Sequence, residues 1–176
     1  PQGGCDRLPG KAPGAIPGSL TALAAPTDPQ ALAQACATEM WADDHASRGL
    51  GMVLEAVGQG TARMAMTVTA TMVNGHGMCH GGFIFTLADS AFAFACNSRN
   101  ARCVAAQGAI SFLRPARLGD RLVATAEERH LAGRSGIYDM RVVDQNSQVI
   151  AELRGHSRAI GGVFFEEWHH KERSFF

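Results

Sequence analysis

The sequence lacks a surplus of charge: 16 Lys and Arg balance 16 Asp and Glu, for a formal net charge of zero. Without a basic excess, nothing draws in a nucleic acid or an anionic membrane over distance, although local basic groups can still hold a phosphorylated cofactor. It lacks a membrane-spanning run. The longest apolar stretch, Phe83 to Cys96, falls short of the ~20 residues a spanning helix needs and contains Asp89. Ala15 to Ala25 faintly suggests a signal peptide, but Pro17 and Gly18 interrupt it. It lacks a disulfide framework: Cys5, Cys36, Cys79, Cys96 and Cys103 are odd in number and irregular in spacing, and read as reduced thiols. It lacks a metal motif too. His76, Cys79 and His80 share one short loop with no second half to the set, so no metal is expected. These absences point to a cytoplasmic protein with neither nucleic acid nor membrane as partner.

What is present fits one domain with a substantial core. Residues 1–27 are rich in Pro, Gly and Ala and read as a flexible N-terminal extension, part of it processed or added, since no initiator Met precedes it. Residues 28–162 form the domain. Residues 163–176, VFFEEWHHKERSFF, make an aromatic C-terminal tail that either docks on a neighbouring subunit or stays exposed. Asp28-Pro29 predicts a capped helix running to about Asp44, with Leu32, Cys36 and Met40, joined by Ala33 and Ala37, on one face. Strands are expected over Gly51–Val57 and Ala62–Thr69, with Gly58-Gln59-Gly60 turning between them. A central helix spans Gly81–Asn97. Four more strands follow over Val104–Leu113, Asp120–Ala132, Arg134–Asp144 and Val149–Ile160, the third fitting a strand only roughly at Ile137, Met140, Val142 and Val143. This order predicts an α+β fold with an antiparallel sheet wrapped over one buried helix.

The central helix is apolar on nearly all sides, as in helices buried all round. One sheet cannot cover it, so a second subunit is expected to. Thr86, Asp89, Ser90, Ala93 and Asn97 recur at helical spacing as its one polar or small stripe, a candidate shared cleft. A carboxylate there needs a reason, because desolvating it is costly unless it is paired or used. Asp89 has no basic residue within a turn, and it is a candidate general base on water, nucleophile or interface carboxylate.

Gly81-Gly82 leaves the helix start bare of side chains, so its N–H groups can polarise a carbonyl oxygen; the plain alternative is a backbone turn. Asn74 either holds water or a carboxylate, or turns the chain before Gly75. His80 either positions the helix start and lines a pocket, or simply caps the helix. Cys79 reads better as a small loop residue than as a nucleophile. Arg114 and Arg117, in Phe112-Leu-Arg-Pro-Ala-Arg117, carry forks suited to the phosphates of coenzyme A, or end a strand in solvent. Gly81 and Asp89 are eight residues apart on one helix, ~12 Å at the usual rise. One carbonyl hardly touches both, but a two-fold dimer with antiparallel central helices would set Asp89 of one chain beside Gly81 of the other.

Asn74-Gly-His-Gly-Met-Cys-His-Gly-Gly followed by Leu87-Ala-Asp-Ser-Ala-Phe-Ala resembles the hotdog-fold thioesterases, specifically the phenylacetic acid degradation thioesterase family. Phe112-Leu-Arg-Pro, Gly119-Asp120, Gly136-Ile-Tyr-Asp139 and Arg154-Gly-His-Ser-Arg-Ala-Ile-Gly161 extend the likeness, which covers about Met40 to Gly162. The resemblance implies dimers sharing a continuous sheet, usually paired as dimers of dimers, that hydrolyse acyl-CoA thioesters, favouring hydroxyphenylacetyl-CoA and similar aryl-acetyl groups. It implies Asp89 as the catalytic carboxylate, Gly81 as the amide on the thioester carbonyl, Asn74 across the cleft and His80 as the motif histidine; Gly82, at the bare helix start, and Arg114, by its guanidinium fork, are the expected substrate-binding residues. No cofactor is implied beyond the coenzyme A of the substrate. Some relatives carry a Ser in the strand after the helix to position water; here Gln107 or Ser111 would have to substitute, or nothing does. The rivals are a hotdog-fold enoyl-CoA hydratase or dehydratase using Asp89 or His80, a non-catalytic acyl-CoA-binding module, and a structural oligomer.

Overall fold

The computed structural model describes residues 25–166. Most of the extension expected over residues 1–27, and the tail beyond residue 166, therefore lie outside the described residues. Helix α1 (Pro29–Asp43) and a short helix α2 (His45–Gly49) lead into the hairpin β1 (Val53–Gly58) and β2 (Thr61–Thr67). A 3-10 turn at Ala70–Met72 and the central helix α3 (Gly81–Cys96) follow. Strands β3 (Cys103–Phe112), β4 (Arg121–Ala132), β5 (Ser135–Val143) and β6 (Val149–Ala159) complete the order. The expected elements are all there, with ends moved by two residues at most. Two were not foreseen, α2 and the 3-10 turn.

Local chemistry explains these boundaries. The Asp28 carboxylate accepts from the Ala31 N–H at 2.7 Å, with Pro29 at the first helical position, so α1 begins there. At its far end Asp44 accepts from the Ser47 N–H at 2.9 Å and caps α2 instead of continuing α1. The buried face of α1 is Ala33, Cys36 and Ala37; Leu32, expected on it, is only half-buried, at its margin. Small residues at these positions let α1 lie close beside β1, and Trp41 reaches the Phe94 ring on α3 at 5.9 Å between centroids.

All strand pairs are antiparallel, in the order β1-β2-β4-β5-β6-β3, and α3 contacts every strand. This is the hotdog arrangement. The rough pattern of β5 has a cause. Its inward residues are Gly136, Tyr138, Met140 and Val142, and the neighbouring β4 carries a bulge between Glu128 and His130. Tyr138 enters the core because its hydroxyl donates to Glu128 Oε2 at 2.9 Å, which satisfies the polar end of a buried ring.

Where the Phe92 ring of α3 lies on the backbone of β6, glycine is required. A Cβ on Gly155 of β6 would stand 2.8 Å from Phe92 Cε1 and 3.0 Å from Met140 Cε, both buried. Gly155→Ala should therefore destabilise the fold by about 1–3 kcal/mol through overpacking. Urea unfolding would show this as a lower midpoint at unchanged slope. An unchanged midpoint would mean that the Phe92 ring has room to shift.

Candidate active site

The segment before α3 is a closed loop. The Asn74 side-chain oxygen accepts from the N–H groups of His76 at 2.9 Å and Met78 at 3.3 Å. Cys79 N–H donates to the Ala116 carbonyl and His80 N–H to the Met72 carbonyl, both at 2.8 Å. Asn74 is thus a turn former through its oxygen, which leaves its amide nitrogen without an acceptor among the described residues. His80 caps α3: its Nδ1 accepts from the Gly82 N–H at 3.0 Å, and its ring meets Phe83 edge-on.

That cap corrects one expectation. The helix start is not bare at both glycines, because the Gly82 N–H is taken. Phe83 N–H donates to the His80 carbonyl at 3.0 Å, so Gly81 is left with an N–H lacking an acceptor among the described residues. A Cβ on Gly81 would stand 2.8 Å from Phe112 Cζ, so the ring of Phe112 occupies the space a side chain would need. Asn74, Cys79, Gly81, Phe112 and Arg114 line one cavity of about 480 Å³. Arg114 is tied at Nη1 to the Val149 carbonyl at 3.1 Å and otherwise faces solvent. His76, Cys79 and His80 do not converge: the Cys79 thiol turns to the His80 carbonyl and His80 to Gly82.

Asp89 stands in different company. Its neighbours on the polar stripe are committed elsewhere. Thr86 Oγ1 donates to the Gly82 carbonyl at 2.8 Å, Ser90 and Ser47 share a hydrogen bond of 2.9 Å, and Asn97 Nδ2 donates to the carbonyls of Ala93 at 2.9 Å and Cys103 at 3.0 Å. The half-buried Asp89 carboxylate has no hydrogen-bond or ion-pair partner among the described residues, and burial pushes its pKa up. It opens on a second cavity, of about 410 Å³, with Met40, Phe92, Arg102, Cys103 and Phe164. Arg102 does not neutralise it, being bound to the Val163 carbonyl at 3.1 Å and stacked on Phe164. The sequence reading missed that Cys96 and Cys103 meet on this wall, where the neighbouring Cys96 thiol lowers the pKa of the Cys103 thiol. The irregular cysteine spacing carried no signal of it.

β3 runs antiparallel to α3 and sets what faces Asp89. A Cβ on Gly108 would stand 3.3 Å from Phe85 Cζ, so Gly108 and Phe112 face the helix while Ala109 and Ser111 face away. Gln107, next to Gly108 along the strand, also faces away. Neither Gln107 nor Ser111 therefore reaches Asp89 of its own chain; Val104 and Ala105 lie beside it instead. The outward face holds a larger hollow of about 770 Å³, but its charges are committed to one another. Arg154 and Arg129 bind Asp139 at 2.7 and 2.9 Å, and Arg141 binds Glu152 at 2.7 Å. Hydrogen bonding from Arg154 holds Asp139 below the usual carboxylate range. The apolar, uncommitted cavities on the helix side are the better sites for chemistry.

Residues 76–151 match the family model of the thioesterase superfamily. The acyl-coenzyme A thioesterase PaaI of Escherichia coli is 45% identical over 128 residues, which is 73% of this chain and 91% of that protein. The chain belongs to the phenylacetic acid degradation (PaaI) family of hotdog-fold thioesterases. This thioesterase also superposes on the structure of E. coli PaaI, a protein of the phenylacetic acid degradation operon, with a TM-score of 0.76. Identity there is 43%, over 77% of this chain and 99% of that one. A Streptococcus mutans protein solved with bound acetyl-CoA aligns at TM-score 0.62 and 25% identity, covering 64% of this chain and 90% of that one. Membership makes the chain a thioester hydrolase.

In this thioesterase the two candidate groups are divided. The Gly81 N–H and the Asp89 carboxylate open on separate cavities of one chain. Among the described residues β3 pairs on one edge only, with β6.

Proposed function

We infer that this thioesterase hydrolyses aryl-acetyl-CoA thioesters at a site completed by two copies of the chain. The observation that carries this reading is the separation of the Asp89 carboxylate and the Gly81 N–H, each without a partner among the described residues, into different cavities. Two helices running antiparallel across a two-fold axis would bring one cavity of each chain together, with the free edges of β3 adjoining. Such dimers pair in turn to a dimer of dimers, in the cytoplasm.

The Gly81 N–H donates to the thioester oxygen and stabilises the negative charge that develops there. Asp89 of the facing chain acts in its ionised form, either drawing a proton from the attacking water or attacking the carbonyl carbon itself. Collapse of the tetrahedral centre breaks the carbon–sulfur bond and expels coenzyme A as its thiolate, which takes up a proton; where Asp89 itself attacks, water then cleaves the resulting anhydride to release the acid. His80 acts by fixing the helix start, so that the Gly81 N–H remains the free donor. Asn74 holds the loop and turns its amide nitrogen to the cleft. Arg114, at the rim of the Gly81 cavity, meets the nucleotide phosphates. No metal or further cofactor is needed.

An aryl-acetyl substrate suits the aromatic lining of the two cavities, Phe112 on one side and Phe92 and Phe164 on the other. It also suits a family relative drawn from the phenylacetic acid degradation operon. Free-thiol release from phenylacetyl-, hydroxyphenylacetyl- and straight-chain acyl-CoA should be fastest with the aryl-acetyl members. No release from any of them overturns the reading. Water addition to an enoyl-CoA without free thiol would put the hydratase in its place.

A further inference from the structure

The chain does not simply trail away after β6. Ile160 N–H donates to the Arg102 carbonyl at 2.9 Å, and Arg102 N–H to the Gly162 carbonyl at 3.2 Å. Gly161 and Gly162, at φ of 90° and 85°, redirect the backbone through a region that favours glycine. The buried side chain of Asn100 then takes hold of the next residues. Its oxygen accepts from the N–H groups of Phe164 at 3.0 Å and Phe165 at 2.9 Å, and its nitrogen donates to the Phe165 carbonyl at 2.8 Å. Asn100 itself sits at φ 60°, a conformation costly for most side chains and tolerable for Asn. The Arg102 guanidinium adds a bond to the Val163 carbonyl and lies 4.5 Å above the Phe164 ring.

This is a built strap, and it crosses the cavity that contains Asp89. Phe164 and Ile160 line that cavity with Met40 and Phe92. The remaining walls are α1, α3 with the turn at Asn97, and Arg102 with the start of β3. Among the described residues the strap alone presents to it an aromatic ring with a cation above it.

We propose that the strap Gly161–Phe165 limits which acyl groups this thioesterase accepts, with Phe164 as the far wall of the pocket into which the acyl group points from Asp89. Short aryl-acyl groups end against the Phe164 ring and stack on it. Extended straight acyl chains meet the ring and are rejected. The proposal rests on the reading of Asp89 as the reacting carboxylate.

The test compares kcat/KM for phenylacetyl-CoA and decanoyl-CoA in the wild type, Phe164→Ala and Asn100→Gly, with Asp89→Asn as the control. Phe164→Ala should shift the ratio towards decanoyl-CoA by roughly tenfold or more, the scale on which apolar pockets discriminate length. Asn100→Gly keeps the backbone conformation and removes the hold on the strap, so it should shift the ratio in the same direction without touching the ring. An unchanged ratio in both variants, while turnover still depends on Asp89, overturns the role of the strap and leaves the function standing. Near-wild-type turnover in Asp89→Asn removes Asp89 from the chemistry and overturns the strap proposal with it, whereas the absence of thiol release from every acyl-CoA overturns the function. Should Phe164→Ala fail to fold, Phe164→Leu and Asn100→Gly still decide the matter.

Discussion

Asp89→Asn should lower kcat for thioester hydrolysis by roughly 10²–10⁴-fold, the range for loss of a general base, with little change in KM. The substitution keeps the size of the side chain and removes its charge. No neighbour depends on that charge, since Asp89 has no hydrogen-bond or ion-pair partner among the described residues. The pH profile gives an independent check. Burial holds the Asp89 pKa above that of an ordinary aspartate, about 3.9, and activity needs the ionised form. The acid limb of kcat/KM should therefore lie above the ordinary carboxylate range, and it should disappear in the variant's residual activity. Stability should move the other way. A carboxylate whose pKa is higher folded than unfolded favours the native state at low pH and weakens it as pH rises through the folded pKa. At neutral pH the Asn variant should consequently melt at or above the wild-type temperature. A variant with near-normal turnover would remove Asp89 from the chemistry.

Mixing two dead chains should restore activity. In Gly81→Ala the new methyl stands where the Phe112 ring now lies, 2.8 Å from its Cζ, and crowds the side from which a carbonyl approaches. That variant should lose turnover on the scale of one lost oxyanion donor, roughly 10²–10³-fold. If each site takes Gly81 from one chain and Asp89 from the other, a Gly81→Ala/Asp89→Asn heterodimer carries one doubly damaged site and one intact site. Random pairing at equal amounts then returns about a quarter of wild-type activity to the mixture, and purified heterodimers carry about half. Co-expression of differently tagged chains, with thiol release measured on the doubly captured fraction, would show it. No recovery in verified heterodimers would place both groups in the same chain's site.

The sequence carried the elements that local pattern determines. The proline after Asp28 and the glycine pair after His80 mark helix starts, and the alternation of Met64, Met66 and Val68 marks an inward strand face. Asp89 stood out because a carboxylate on an apolar helix has few structural uses. What was not legible depends on partners far along the chain or on competition for one hydrogen atom. Nothing local says that His80 Nδ1 takes the Gly82 N–H and so leaves Gly81 as the free donor. Nothing near Asn100 announces that its side chain binds Phe164 and Phe165, and nothing near Asp44 says that it starts a second helix. The thiol pair of Cys96 and Cys103 is likewise a product of α3 meeting β3, which no spacing rule foretells.

The position of β3 in the sheet has a consequence for how the chain assembles. Among the described residues β3 follows α3 in sequence but pairs only with β6, the last of their strands. During synthesis it leaves the ribosome well before its partner, whereas β4, β5 and β6 form a meander whose neighbours arrive in turn. The apolar flank of α3 beneath β3 must wait in the open for that late closure. Closure of β3 onto β6 is therefore expected to be what brings Phe112 over Gly81, and until then the exposed apolar surface is open to association with a wrong neighbour.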